Sequence, residues 1–183
     1  MADAAMSDVD SKLKIAQERK EAGNEAFRNG DAKTALRCYH EILLYVSGLD
    51  KSSSGSPVAM PTQNAQVLNP EQKEKIAALT LSHHLNLAAV YVKLGKFDKG
   101  EKSCTGALKL DEGNVKARFR RGKCRSELGD LDGAQEDLMR VAEQDPEDKN
   151  VKRELAVLKQ RFKKHEAKER KQYAGMFDSA SAE

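Results

Sequence analysis

Lys20 and Asn24 stand four residues apart, Lys116 and Arg120 repeat that spacing, and Asn86 lies 34 residues ahead of Arg120. A spacing of four returns to the same face of a helix, so each pair presents two groups to one side. Ammonium, guanidinium and amide groups all donate hydrogen bonds, and no carboxylate is counted among the five. Such a set suits an anion, and the ligand it suits best carries closely spaced carboxylates. A single lysine on a helix face is ordinarily just solvated. The set carries weight because Asn86 and Arg120 occupy equivalent positions of an internal repeat, with Lys20 one residue from the matching position of the first copy.

The elements that must position them are marked by an echo of small residues. Gly95 and Gly129, Ala88 and Gly122, Gly100 and Ala134, and Cys104 and Leu138 are each 34 apart. The same four positions recur 65 residues upstream at Gly30, Gly23, Ala35 and Tyr39, which is one period plus 31. Three copies of one unit follow, with an insertion between the first and the second. A helix, turn and helix with this period is the tetratricopeptide signature. It predicts an all-α, right-handed superhelical solenoid of three helix pairs, at 16–49, 81–114 and 115–148. The first helices of successive pairs line the concave face, so Lys20, Asn24, Asn86, Lys116 and Arg120 are expected to converge on one groove. Gly23, Ala88 and Gly122 are expected to let the paired helices approach closely.

Outside the repeats the chain changes character. Residues 1–13 read as a disordered leader, and residues 47–69, rich in Ser, Gly, Pro, Asn and Gln, as a flexible inserted loop. Asn69, Pro70 and Gln72 predict a capped helix start just after it. Beyond 148, Val151, Leu155, Leu158 and Phe162 form a stripe on a long helix, 149–177, that caps the last repeat and is followed by a tail, 178–183. Its stretch from Lys149 to Lys171 holds ten basic residues against three acids. The apolar pattern lapses after Phe162, so the far half is expected to project into solvent.

Composition bounds the rest. The chain has 183 residues, a third of them charged, no tryptophan and a net charge of +3. One domain with a thin Ala, Leu and Val core is expected, and the charge is too small for a dedicated nucleic-acid binder. Cys38, Cys104 and Cys124 lack the pair spacing of a zinc or redox site and read as reduced thiols, Cys38 and Cys104 in second helices as small packing residues. The adjacent His83 and His84 point about 100° apart on a helix and make a poor metal pair. No segment has the length and apolarity of a membrane span, and the acidic start has no signal core. The reading is a cytoplasmic protein, with the nucleus also open to it, that needs no cofactor and holds no metal.

Three repeats followed by a long capping helix resemble the tetratricopeptide domain of heat-shock-binding co-chaperones. The ending Tyr173-Ala174-Gly175-Met176-Phe177 after a basic helix is similar to the tail of large FK506-binding immunophilins. The resemblance spans residues 14–177. It implies a carboxylate clamp for a chaperone tail ending in Glu-Glu-Val-Asp, built on Lys-x-x-x-Asn, Asn and Lys-x-x-x-Arg, all of which stand here. Lys20, Asn24 and Asn86 would hold the terminal carboxylates, and Lys116 and Arg120 the aspartate side chain and a neighbouring acid. Phe27 and Ala89 would floor a pocket for the valine of the tail.

The function so implied is a non-enzymatic adaptor that docks a heat-shock chaperone, the 90-kDa class before the 70-kDa class. Two other readings compete with it. The chain could be the repeat portion of a prolyl-isomerase immunophilin, residues 1–13 being too few to form a catalytic domain. Alternatively, the basic helix could bind calmodulin or anionic lipid, with Tyr173, Met176 and Phe177 as apolar anchors.

Overall fold

The computed structural model describes residues 7–47, 49 and 68–180, with side chains as far as residue 172. Among the described residues there are seven helices and no strand: α1 (Asp8–Arg28), α2 (Ala32–Val46), α3 (Pro70–Lys93), α4 (Phe97–Leu110), α5 (Val115–Leu128), α6 (Leu131–Gln144) and α7 (Lys149–Ala180). Where one domain was expected, the chain divides into two compact units, Met1–Gly113 with α1 to α4 and Asn114–Glu183 with α5 to α7. Each unit has an apolar core of its own. Val9, Leu13, Tyr39, Ile42, Ile76, Leu79 and Leu87 belong to the first, and Ala134, Leu138 and Leu158 to the second.

The turns inside the helix pairs are copies of one another. Gly30, Gly95 and Gly129 have φ of 83°, 67° and 90°, a left-handed conformation in which a Cβ would be strained. In each copy the residue after the glycine donates its N–H to the carbonyl five residues back: Asp31 to Ala26 at 2.9 Å, Lys96 to Tyr91 at 2.9 Å, and Asp130 to Arg125 at 3.0 Å. This bond satisfies a carbonyl that the ending helix would leave unpaired. The second helix of the pair then starts on a carboxylate cap in two copies, Asp31 accepting from Thr34 N and Asp130 from Gly133 N. The middle copy has Lys96 at the cap position and no side-chain bond there.

The expected close approach of the paired helices is present. A Cβ on Gly23 would stand 2.5 Å from Cε1 of Tyr39, and one on Gly122 would stand 2.9 Å from Cγ of Leu138. Where the larger Ala88 takes this position, the residue at the register of Tyr39 and Leu138 is the smaller Cys104, and both are fully buried. Each repeat thus trades bulk on one helix against bulk on the other. Cys38 and Cys124 are also buried, and neither forms a disulfide among the described residues.

Two boundaries differ from the sequence reading. Residues 8–13 are helix and not leader, because Ser7 accepts from Asp10 N as an N-cap, Asp8 and Asp10 complement the helix dipole, and Val9, Leu13 and Ala16 form a buried stripe. At the other end α7 continues to Ala180, two residues into the expected tail. The helix start at Pro70 is the capped one predicted, with Asn69 Oδ1 accepting from Gln72 N at 2.8 Å and Gln72 Oε1 from Asn69 N at 3.1 Å. Of the inserted loop, residues 48 and 50–67 lie outside the described residues.

Candidate functional site

The first unit positions three of the five expected groups. Lys20 and Asn24 share a face of α1, and Asn86 lies on α3. Asn86 Nδ2 donates to Asn24 Oδ1 at 3.2 Å, and the Tyr39 hydroxyl donates to the same oxygen at 2.9 Å. Two donors on that oxygen orient the amide of Asn24, leaving its Nδ2 as a donor with no partner among the described residues. Lys20 is half-buried and likewise makes no hydrogen bond or ion pair with a described residue. The α1 to α3 packing brings the two amides together, with Lys20 one turn before Asn24 on α1, and the groups of α1 left over here, the Lys20 ammonium and the Asn24 Nδ2, are donors.

Phe27, one turn beyond Asn24, packs against the core of the first unit. Its ring carries a neighbour that sequence reasoning did not anticipate: Lys93 Nζ stands 4.9 Å from the ring centroid. Ala89 is half-buried on α3 between Asn86 and Lys93. The repeat did contain a signal for Lys93, which is seven residues from Asn86 and so returns to the same helix face.

In the second unit, α5 carries six basic residues between Lys116 and Arg125, and the structure sorts them. Arg118, Arg121 and Arg125 turn toward α6 and surround Asp137, which is 1 % exposed. Arg121 Nε and Nη2 each bind one carboxylate oxygen at 2.7 Å, and Arg125 Nη1 adds a bond at 3.1 Å. Lys123 turns to Glu154 of α7 at 3.2 Å. Lys116, exposed, and Arg120, half-buried, remain one turn apart on the other side of α5. The sequence assigned the latter pair correctly to one helix face but contained no hint of the arginine cluster.

The histidines hold structure together. His83 is buried, and its Nδ1 donates to the carbonyl of Tyr39 at 2.6 Å, which assigns the ring proton to Nδ1. Burial pushes its pKa down to about 4, with the nearby His84 and His40 acting in the same direction and the Tyr39 carbonyl opposing. Burial also lowers the pKa of His84, whose ring lies against Gly106. His40 Nε2 lies 3.3 Å from the Tyr91 hydroxyl. No group of three His, Cys, Asp or Glu among the described residues could hold a metal.

On α7, Val151 and Leu158 are buried, and Leu155 and Phe162 pack beside Leu138 in the second unit. Residues 163–172 are exposed on every side of the helix. The expected anchors Tyr173, Met176 and Phe177 lie beyond the described side chains. No helix among the described residues is long and apolar enough to cross a membrane.

Comparison with known proteins agrees with the repeat architecture. Residues 91–158 match the tetratricopeptide repeat family. The peptidyl-prolyl cis-trans isomerase FKBP4 of Mus musculus is 38% identical over 164 residues, covering 90% of this chain and 32% of the mouse protein. The chain therefore spans about a third of the length of that relative. The C-terminal repeat domain of a putative FK506-binding protein from Plasmodium falciparum superposes with a TM-score of 0.75 at 23% identity, covering 89% of this chain and 97% of that one. The first repeat domain of Spaghetti (RPAP3), solved with the HSP90 peptide SRMEEVD, gives 0.58 at 26%, covering 80% and 92%. The second repeat domain of human RPAP3, solved with the HSP70 peptide SGPTIEEVD, gives 0.58 at 28%, covering 81% and 98%.

Proposed function

From the premise that this chain is a tetratricopeptide repeat domain resembling the C-terminal repeat region of FKBP4-type immunophilins, we propose that it is an adaptor for a heat-shock chaperone. It binds the acidic tail ending in Glu-Glu-Val-Asp. The observation that carries this reading is the donor set of the first unit, where Asn86 and Tyr39 both bond to Asn24 Oδ1 and leave Lys20 and the Asn24 amide for an anion. In this reading Lys20, Asn24 and Asn86 take the terminal carboxylates, Lys116 and Arg120 take the aspartate side chain and the neighbouring acid, and Phe27 and Ala89 border the valine. Similar domains solved with HSP90 and HSP70 tails support the ligand class. The immunophilin likeness favours the 90-kDa chaperone, in the cytoplasm.

Calorimetric titration with a Met-Glu-Glu-Val-Asp peptide tests it. Binding in the micromolar range is expected, weakened roughly tenfold to a hundredfold by Lys20→Ala or by amidating the peptide terminus, since each charge-assisted contact contributes about 1.5–3 kcal/mol. Binding indifferent to both changes would sink the proposal. A parallel titration with an Ile-Glu-Glu-Val-Asp peptide ranks the two chaperone classes. The chain itself is expected to show no prolyl isomerase activity, and a standard peptide isomerisation assay checks this.

A second reading concerns α7, whose exposed residues 163–172 offer a basic surface to calmodulin or anionic lipid. A calcium-dependent shift of the intact chain on titration with calmodulin would support the calmodulin arm. No shift with either calmodulin or anionic vesicles would leave α7 as a cap alone.

A further inference from the structure

The α1 and α3 helices both begin well ahead of the repeat, α1 at Asp8 against a register start at Ala16 and α3 at Pro70 against Leu81. Between these two extensions lies a cavity of about 460 Å³, within the size range of small-molecule sites. Leu13 and Leu79, each 5% exposed, and Ala78 give it an apolar wall, and Lys14, Lys20 and Lys75 also line it. Lys75 is paired with Glu71 at 2.7 Å, whereas Lys14 and Lys20 have no partner among the described residues. The one carboxylate on the wall, Asp10, is already engaged, its Oδ1 by Gln72 Nε2 at 3.0 Å and its Oδ2 by the Ser7 hydroxyl at 2.6 Å.

We infer that this cavity is a second binding site, for a small amphipathic carboxylate whose aliphatic body lies on Leu13, Ala78 and Leu79 and whose head group binds Lys14 and Lys20. Apolar burial supplies most of the affinity, and the unpaired ammonium groups select an acid over a neutral chain of the same length. Lys20 also belongs to the proposed peptide clamp, so an acid held in the cavity draws that ammonium away and opposes the chaperone tail. This antagonism rests on the clamp reading; occupancy of the cavity does not.

The test is a titration of the intact chain with decanoate below its micellar concentration, followed through amide resonances, with decanol as the neutral control. Saturable shifts centred on Leu13, Lys14, Ala78 and Leu79 are expected, with decanol at least fivefold weaker. Ala78→Phe, a substitution at an exposed position that fills the cavity, should weaken decanoate about tenfold, and Lys14→Glu about fivefold, with circular dichroism unchanged. No saturable shift at this wall, equal affinity for decanol, or a response unaltered by Ala78→Phe would overturn the site. Peptide affinity should fall in proportion to decanoate occupancy; decanoate that binds while peptide affinity stays constant would overturn the sharing of Lys20. A chain that fails to bind peptide but still binds decanoate refutes the clamp and leaves the cavity standing.

Discussion

In the α1/α2 pair Gly23 lies against the ring of Tyr39, and in the α5/α6 pair Gly122 lies against Leu138, with Cβ of Asp137 beside it. The backbones approach in the same way, but the polar chemistry beside each contact differs. Tyr39 spends its hydroxyl on Asn24, a neutral bond that orients an amide facing the proposed ligand. Asp137 is a buried carboxylate facing three arginines of α5, and its role ends inside the unit. The register position of Tyr39 is filled by Leu138 in the second unit, so the polar group there comes from the preceding residue, Asp137. The reason is local: α1 carries few cations on its α2 side, while α5 carries an arginine at spacings of three and four that only a carboxylate can gather.

The sharpest way to break this contrast is to remove the central charge from the second unit. Asp137→Ala takes the shared buried carboxylate away from Arg118, Arg121 and Arg125 and should cost about 3–5 kcal/mol in urea unfolding. Tyr39→Phe, in the first unit, deletes one neutral bond and should cost only about 1 kcal/mol while weakening the acidic peptide more than it weakens the fold. Equal losses would show that the two contacts do the same job.

Acid should act on the first unit through His83. Its folded pKa of about 4 lies below its ordinary 6.5, so between these values the unfolded chain binds a proton that the folded chain refuses. The stability due to neutral His83 is complete above about pH 6.5 and is lost as pH falls toward 4, by about 3 kcal/mol for a shift of this size. Urea titrations at pH 7 and pH 4.5 would show it, and His83→Gln should flatten the dependence.

Filling the close contacts should give a smaller effect. Gly23→Ala and Gly122→Ala should each cost about 1–3 kcal/mol, since the intruded atoms belong to packed side chains, with Gly23 the more sensitive because a ring yields less than a leucine. Thermal melts of the two variants compare them directly. The smallest change is a gain: Lys96→Asp would supply the N-cap that α4 lacks and should stabilise the chain by roughly 1 kcal/mol, as Asp31 and Asp130 do for α2 and α6.

Periodicity made most of the helices legible. Gly30, Gly95 and Gly129 marked the turns, since glycine alone adopts the left-handed conformation there at little cost, and Asn69-Pro70-Gln72 marked a helix start by local chemistry alone. Residues 8–13 read as leader in the sequence because Val9, Leu13 and Ala16 amount to barely two turns of stripe, and they are buried against Ile76 and Leu79 from a segment far along the chain.

Local sequence determined the helices, their turns and which side of α1, α3 and α5 carries Lys20, Asn24, Asn86, Lys116 and Arg120, because spacing along a helix fixes direction around its axis. Tertiary structure alone decided which polar groups are consumed internally. Tyr39 and Asn86 meeting on Asn24, Asp137 gathering Arg118, Arg121 and Arg125, Lys93 resting on Phe27, and the cavity between two helix extensions all join residues distant in the chain. No periodicity encodes such pairings, because they depend on how helices pack and not on how each one winds.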